Sequence, residues 1–120
     1  MQVAQLSQQR QSTQVAEVIS SGKGCGAEVR GVDLRNVDGK SFGVIEKAVL
    51  EHLVVLIRGQ SITDPELIAF GKRFGELEPP GMSIIGKPYI DEHPDILVIS
   101  NIVENGQPQG NLGAGEAIWH

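Results

Sequence analysis

Two stretches of this chain carry histidines in settings that suit metal binding. The segment 111–120 runs from a glycine-rich turn into apolar residues and stops on Trp119-His120. Natural chain ends usually consist of polar, weakly packed residues. This chain ends instead on a histidine, the commonest metal ligand, directly after apolar residues. We therefore interpret the chain as interrupted within a site motif. The second stretch, His93-Pro94-Asp95, places an imidazole and a carboxylate two residues apart, the spacing that points two side chains the same way in a strand.

Composition excludes several classes of partner. The 120 residues carry a formal charge of −5 without a cluster of Lys or Arg, which argues against nucleic acid and anionic membranes. The longest apolar run, residues 53–57, is too short to span a bilayer. Cys25 is the single cysteine, so no intramolecular disulfide can form and a cytoplasmic setting is expected. Residues 1–14 lack the apolar block of a secretory signal and are predicted to be a disordered lead-in.

The predicted helices and strands do not alternate regularly as βαβ units, which favours the α+β class. Thr63 followed three residues later by Glu66 has the form of a capping box, so a helix should begin there. The spacing of apolar and turn residues predicts helices over 41–52 and 63–74, strands over 15–19, 27–32, 54–58 and 96–101, a turn or hairpin tip at 104–107, loops over 33–39, 78–94 and 111–115, and a strand starting at 116.

Four segments in this order resemble one enzyme family. They are 26–34, 48–58, Arg73 to Leu77 and the terminal Trp119-His120, and they resemble the N-terminal part of the Fe(II)/2-oxoglutarate-dependent dioxygenases related to taurine dioxygenase and chlorophenoxyacetate dioxygenase. The resemblance implies that residues 15–120 are the incomplete N-terminal portion of a double-stranded β-helix, or jelly roll. It also implies an oxidoreductase that uses Fe(II) as cofactor, 2-oxoglutarate as co-substrate and O₂ to hydroxylate a small organic molecule.

The resemblance also implies roles for particular residues. His120 matches the family's first iron ligand and Trp119 its packing neighbour, and the family's next ligand, an Asp, would come two residues after His120. The distal His and the 2-oxoglutarate-binding Arg would follow later. Asn101 and Glu116 are candidate substrate-binding residues. The family's taurine enzymes carry a substrate-binding His shortly after the segment that matches 73–77, and this chain has none there, which disfavours taurine as the substrate.

Two alternatives stay open. His93 and Asp95 with His120 would make a complete triad within the chain, although Pro94 and the approach to a strand favour an exposed turn at 93–95. The second alternative is a non-catalytic binding or interaction module, because the chain by itself offers His120 as its one family ligand and is predicted to be inactive. The sequence leaves open a homo-oligomer and the identity of the substrate.

Overall fold

The computed structural model describes residues 15–78 and 85–112, and of Leu112 only the backbone. The chain divides into two compact units, Met1–Ser61 and Ile62–His120. The elements of the first unit are β1 (Glu17–Ser20), β2 (Ala27–Arg30), a 3₁₀ turn (Leu34–Asn36), α1 (Gly39–His52) and β3 (Val55–Leu56). Those of the second are α2 (Asp64–Gly71), β4 (Ile99–Ser100), β5 (Val103–Glu104), β6 (Gln107–Pro108) and β7 (Asn111–Leu112).

A three-stranded mixed sheet and one helix make up the described part of the first unit. The strand order is β1-β2-β3, with β1 antiparallel and β3 parallel to β2. Successive side chains of a strand alternate between faces, and Ala27 and Val29 on one face of β2 are buried. Helix α1 contributes Ile45 and Ala48, one turn apart, and both are buried as well. The described core of this unit is therefore small and aliphatic.

Both ends of α1 have local physical causes. Asp38 is the N-cap, and its carboxylate accepts a 2.6 Å hydrogen bond from the backbone N–H of Ser41. The helix ends at His52 because Leu53 adopts φ 68°, a left-handed conformation that glycine tolerates best. The Leu53 N–H still donates to Val49 O at 2.9 Å, which closes the last turn. Leucine is not a residue type that marks helix ends, so the sequence alone does not indicate that α1 ends here.

Asp38 is expected to make the stability of this unit depend on pH. Its hydrogen bond from the Ser41 backbone lowers the pKa of the carboxyl below the usual 3.8. Because the folded-state pKa is depressed, the stabilisation is fully present above the unfolded pKa of about 4 and is lost as the pH falls through the folded value. Asp38→Ala should lower the thermal midpoint at neutral pH and flatten its decline on acidification.

The matched control for this prediction is Asp38→Asn, since asparagine caps helices about as well as aspartate but does not titrate. Thermal melts of the three proteins between pH 2 and pH 7 should show Asp38→Asn close to the parent at neutral pH and less sensitive to acid. If all three lose stability identically on acidification, Asp38 does not supply the pH dependence.

The second unit begins with a helix whose start agrees with the predicted capping box. The Glu66 carboxylate accepts from the backbone N–H of Thr63 at 2.7 Å and from the Thr63 hydroxyl at 2.9 Å. Helix α2 ends at Gly71, three residues before the predicted end, and turns follow up to Gly75. The rings of Phe70 and Phe74 meet edge to face, with centroids 5.4 Å apart.

Several predicted strands are shorter than expected. The strand predicted over 54–58 is reduced to Val55–Leu56, and it is not buried, since Val54 and Leu56 are 60% and 44% exposed. The strand predicted over 96–101 is reduced to Ile99–Ser100, and residues 111–112, predicted as loop, form β7 instead. An apolar run indicates that a segment prefers burial, but the partner strands decide how much of it pairs.

The described residues show a partial fold. The α+β class is confirmed by a small mixed sheet with two helices, whereas the jelly roll as a whole lies beyond what the described residues display. None of the described helices is long and apolar enough to cross a membrane. The predicted lead-in at 1–14 and the strand predicted from 116 lie outside the described residues.

Candidate functional site

The strand pair β4–β7 places Asn101 at the edge of a sheet where the described part of the chain ends. The strands are parallel, with Ile99 opposite Asn111 and Ser100 opposite Leu112. Parallel strands run in the same direction, so their carboxyl ends lie side by side. Asn101 follows directly on β4, and the segment 113–120, which contains Glu116 and His120, follows directly on β7. Asn101 and Leu112, the last described residue, therefore lie at the same edge.

Asn101 is exposed at this edge, next to a residue that shapes the turn. The hydroxyl of Ser100 accepts a 3.0 Å hydrogen bond from the backbone N–H of Ile102, which bends the chain away from β4. An exposed side-chain amide at a strand end has both a donor and an acceptor to offer a small polar ligand. The position of Asn101 is thus compatible with contact to a substrate.

The connection between the two strands is a tight hairpin. Strands β5 and β6 pair antiparallel, and the two residues between them, Asn105 and Gly106, have φ values of 52° and 77°. Positive φ at both central positions is the signature of a type I′ turn, for which Asn-Gly is the preferred sequence. The predicted hairpin tip at 104–107 is confirmed. The hairpin returns the chain to β4, because Gln109 N–H donates to Ile102 O at 2.9 Å.

Gly110 lies so close to Val98 and Ser100 that a side chain would not fit there. It is buried, and a Cβ placed on it would lie 2.7 Å from both the Cβ and the backbone nitrogen of Ser100 and 3.0 Å from Val98 O. The next residue, Asn111, donates its backbone N–H to Val98 O at 2.8 Å. Sequence reasoning missed Gly110, because a glycine in a loop gives no signal of which strand it will meet.

His93 and Asp95 lie in a turn. The backbone N–H of His93 donates to Ile90 O and the N–H of Ile96 donates to His93 O, both at 3.1 Å. His93 is half-buried and Asp95 exposed, in irregular chain before β4. The turn predicted for 93–95 is confirmed. The described residues contain no group of three His, Cys, Asp or Glu side chains suited to a metal, and Cys25 is exposed and unpaired in a loop.

A shallow polar cavity of about 190 Å³ lies in the first unit, where sequence reasoning placed no site. Its lining residues are Val32, Asp33, Arg35, Gly59, Gln60 and Ser61. The Gln60 amide nitrogen donates to Val32 O and Arg58 O, both at 3.0 Å, and its oxygen accepts from Leu34 N–H at 2.9 Å. Gln60 therefore ties the 3₁₀ turn to the segment after β3.

The charges of this cavity do not suit acid–base chemistry. The Arg35 guanidinium hydrogen-bonds the Asp33 carboxylate at 2.7 Å, and together with the Arg35 backbone N–H it lowers the pKa of Asp33 to about 2. A general base works best with a pKa near the operating pH, so a carboxylate held this far below it is a weak one.

The predicted metal ligand lies outside the described residues. His120, its neighbour Trp119 and the candidate Glu116 all belong to 113–120. An octahedral Fe(II) centre of the facial type needs two imidazoles and one carboxylate. The described residues do not hold such a set, so the site residues of the family remain predictions for this chain.

Comparisons with known proteins agree on the family. The model of the family described as taurine catabolism dioxygenase TauD, TfdA family, matches residues 14–120. Pentalenolactone F synthase of Streptomyces arenae is 34% identical over 100 residues, which cover 82% of this chain and 31% of the relative. The (S)-phenoxypropionate/alpha-ketoglutarate-dioxygenase of Delftia acidovorans is 31% identical over 114 residues, or 87% of this chain and 35% of the relative.

Solved structures give the same result. A taurine dioxygenase from Burkholderia xenovorans aligns with a TM-score of 0.55 at 33% identity, over 66% of this chain and 28% of that one. The structure of AAD-2 in complex with Mn(II) and N-oxalylglycine aligns with a TM-score of 0.52 at 26% identity, over 62% of this chain and 29% of that one.

The comparisons define the class of protein that this chain resembles, the alpha-ketoglutarate-dependent dioxygenases. The chain belongs to the TauD/TfdA family, whose alpha-ketoglutarate-dependent dioxygenases use Fe(II) and 2-oxoglutarate and act on small molecules with O₂. It spans about a third of the length of the curated relatives it matches. The family resemblance inferred from the four sequence segments is thereby confirmed, as is the predicted cofactor class.

Proposed function

We propose that this protein contributes the N-terminal part of an Fe(II)/2-oxoglutarate-dependent dioxygenase that hydroxylates a small organic substrate in the cytoplasm. In this chemistry one oxygen atom of O₂ enters the substrate C–H bond, and the other enters succinate as 2-oxoglutarate loses CO₂. The observation that carries the proposal is the family match over residues 14–120. The parallel β4–β7 pair supports it, because Asn101 lies at the edge where β7 ends at Leu112, and the residues that contain His120 come next in the sequence.

Each candidate residue has a defined role in this proposal. His120 would supply the first imidazole to the iron, and a carboxylate two residues later would supply the second donor on the same side of a strand. The iron, when bound, supplies a Lewis-acidic centre with open positions for 2-oxoglutarate and O₂. Asn101 would hydrogen-bond the substrate, and Glu116 would line the mouth of the pocket. The chain offers no His directly after Leu77, so taurine is not the proposed substrate.

Metal titration separates this function from its alternative, a non-catalytic binding module. The 120-residue chain and the product of the complete reading frame are each titrated with Fe(II) and N-oxalylglycine under argon. The complete product should bind one iron per chain and form succinate from 2-oxoglutarate in air. The 120-residue chain should show no stoichiometric site, because one candidate ligand cannot set a facial geometry.

Two other outcomes of this titration would contradict the proposal, and each would favour a different alternative. A complete product without an iron site, or a reading frame that ends at His120, would favour the non-catalytic module. Tight one-to-one binding of Fe(II) by the 120-residue chain would favour the triad of His93, Asp95 and His120.

A further inference from the structure

We propose that Leu53, Val54 and Leu56 form an apolar docking surface on the first unit, which the part of the polypeptide after residue 120 covers in the complete dioxygenase. The inference rests on the proposed function in one respect, namely that the complete reading frame supplies this further part. The surface itself is defined by the backbone and the exposure of described residues.

Leu53 has a backbone conformation that is costly for a leucine. The Val54 backbone N–H donates to His52 O at 2.8 Å, so residues 52–54 form a γ-turn with Leu53 at its centre, at φ 68° and ψ −35°. This form of the γ-turn is rare and strained, and glycine tolerates the positive φ best because it has no Cβ. Strain of this kind is retained where the surrounding structure imposes it, and it concentrates at sites that bind.

The side chain of Leu53 has little contact with the described residues that would offset this strain, because it is 72% exposed. Val54 and Leu56 are 60% and 44% exposed, and side chains two residues apart in an extended segment point to the same face. In the described part of the chain β3 pairs with β2 alone, so its second backbone edge is open as well. The docking surface therefore combines three exposed apolar side chains with an open strand edge.

The first unit lacks the buried surface of a self-sufficient domain. The described residues bury four apolar side chains, of which two are alanines. A core must remove enough apolar surface from water to offset the loss of conformational entropy, and small units seldom achieve this alone. The chain covers 31% and 35% of two curated relatives, so about two thirds of their length lies outside the matched part. A remainder of that length is large enough to complete the core.

The charge of the chain favours an occupant in the same polypeptide over a second copy. Each chain carries a formal charge of −5, so two copies repel each other. A segment of the same polypeptide is held at a high effective concentration and reaches the surface without association between molecules. The docking surface is therefore assigned to an intramolecular contact.

Leu53→Gly tests the assignment, because the substitution should act in opposite directions in the two proteins. In the 120-residue chain it relieves the strained turn and removes an exposed side chain, so the equilibrium constant for unfolding should fall roughly three- to tenfold. In the product of the complete reading frame it also removes a buried leucine, so that constant should rise roughly tenfold or more. Both constants are measured without iron by urea denaturation, followed by circular dichroism.

Two further variants accompany this measurement. Val54→Ala keeps the γ-turn, so it should change the unfolding constant of the 120-residue chain by at most about twofold and raise that of the complete product roughly three- to tenfold. Val15→Ala is the matched control, because Val15 is 71% exposed and precedes β1, on the opposite edge of the sheet from β3. It should change the constant of either protein by at most about twofold.

A change of the same sign for Leu53→Gly in both proteins overturns the inference, as does a loss from Val15→Ala equal to that from Val54→Ala in the complete product. Sedimentation velocity should show the 120-residue chain as a monomer, and a dimer that Leu53→Gly dissociates would identify a second copy as the occupant instead. A complete product that binds no iron but shows the opposite changes would count against the proposed function alone.

Discussion

His120→Ala is expected to abolish iron-dependent turnover of 2-oxoglutarate in the product of the complete reading frame. Loss of residues that merely orient a metal ligand costs roughly ten- to a hundredfold in affinity or activity, and loss of a ligand itself should cost a hundredfold or more. Succinate formation is measured alongside Fe(II) affinity in the presence of N-oxalylglycine under argon. Both should collapse together, because the same imidazole is required for binding and for turnover.

His93→Ala is the matched control, because His93 and Asp95 form the alternative candidate for an iron-binding His-x-Asp pair. His93 lies in a turn before β4, and its described hydrogen bonds are made by backbone atoms, which alanine retains. Turnover should therefore remain largely intact, with circular dichroism confirming that both variants fold. If His93→Ala lowers succinate formation and Fe(II) affinity as much as His120→Ala does, the assignment of His120 rather than His93 as the iron ligand is wrong.

Ile45→Ala is expected to destabilise the first unit by about 2–4 kcal/mol, the usual cost of truncating a large buried aliphatic side chain. Ile45 is only 1% exposed and is one of four buried apolar residues described in the chain. With so few buried residues, the surrounding structure has little to refill the space that the side chain leaves. The free energy of unfolding is measured by urea denaturation, followed by circular dichroism.

Leu50→Ala on the same helix provides the comparison, because Leu50 is 76% exposed. Its cost should stay within about 0.5 kcal/mol, as for surface substitutions generally. If Leu50→Ala costs as much as Ile45→Ala, then Leu50 is covered in solution, and the exposed side of α1 is an interface. If Ile45→Ala costs nothing, the core of the first unit is not where the structure places it.

Features whose causes lie within a few residues could be predicted from the amino-acid sequence. The capping box of Thr63 and Glu66 was predictable because both hydrogen bonds close within one helical turn. The Asn105-Gly106 hairpin was predictable because these two residues tolerate the positive φ values that a type I′ turn requires. The family was also readable from the sequence, since its segments occur in order along one chain.

Features that depend on partners distant in sequence could be read only from the folded chain. The strand expected at 54–58 pairs with β2 only at Val55–Leu56, because strand length is set by the neighbour that supplies hydrogen bonds rather than by the apolar run. Gln60 ties segments 26 and 28 residues away, and Gly110 meets the backbone of Ser100 across the hairpin. Neither contact has a local pattern, because each depends on which backbone atoms the fold brings within a few ångströms.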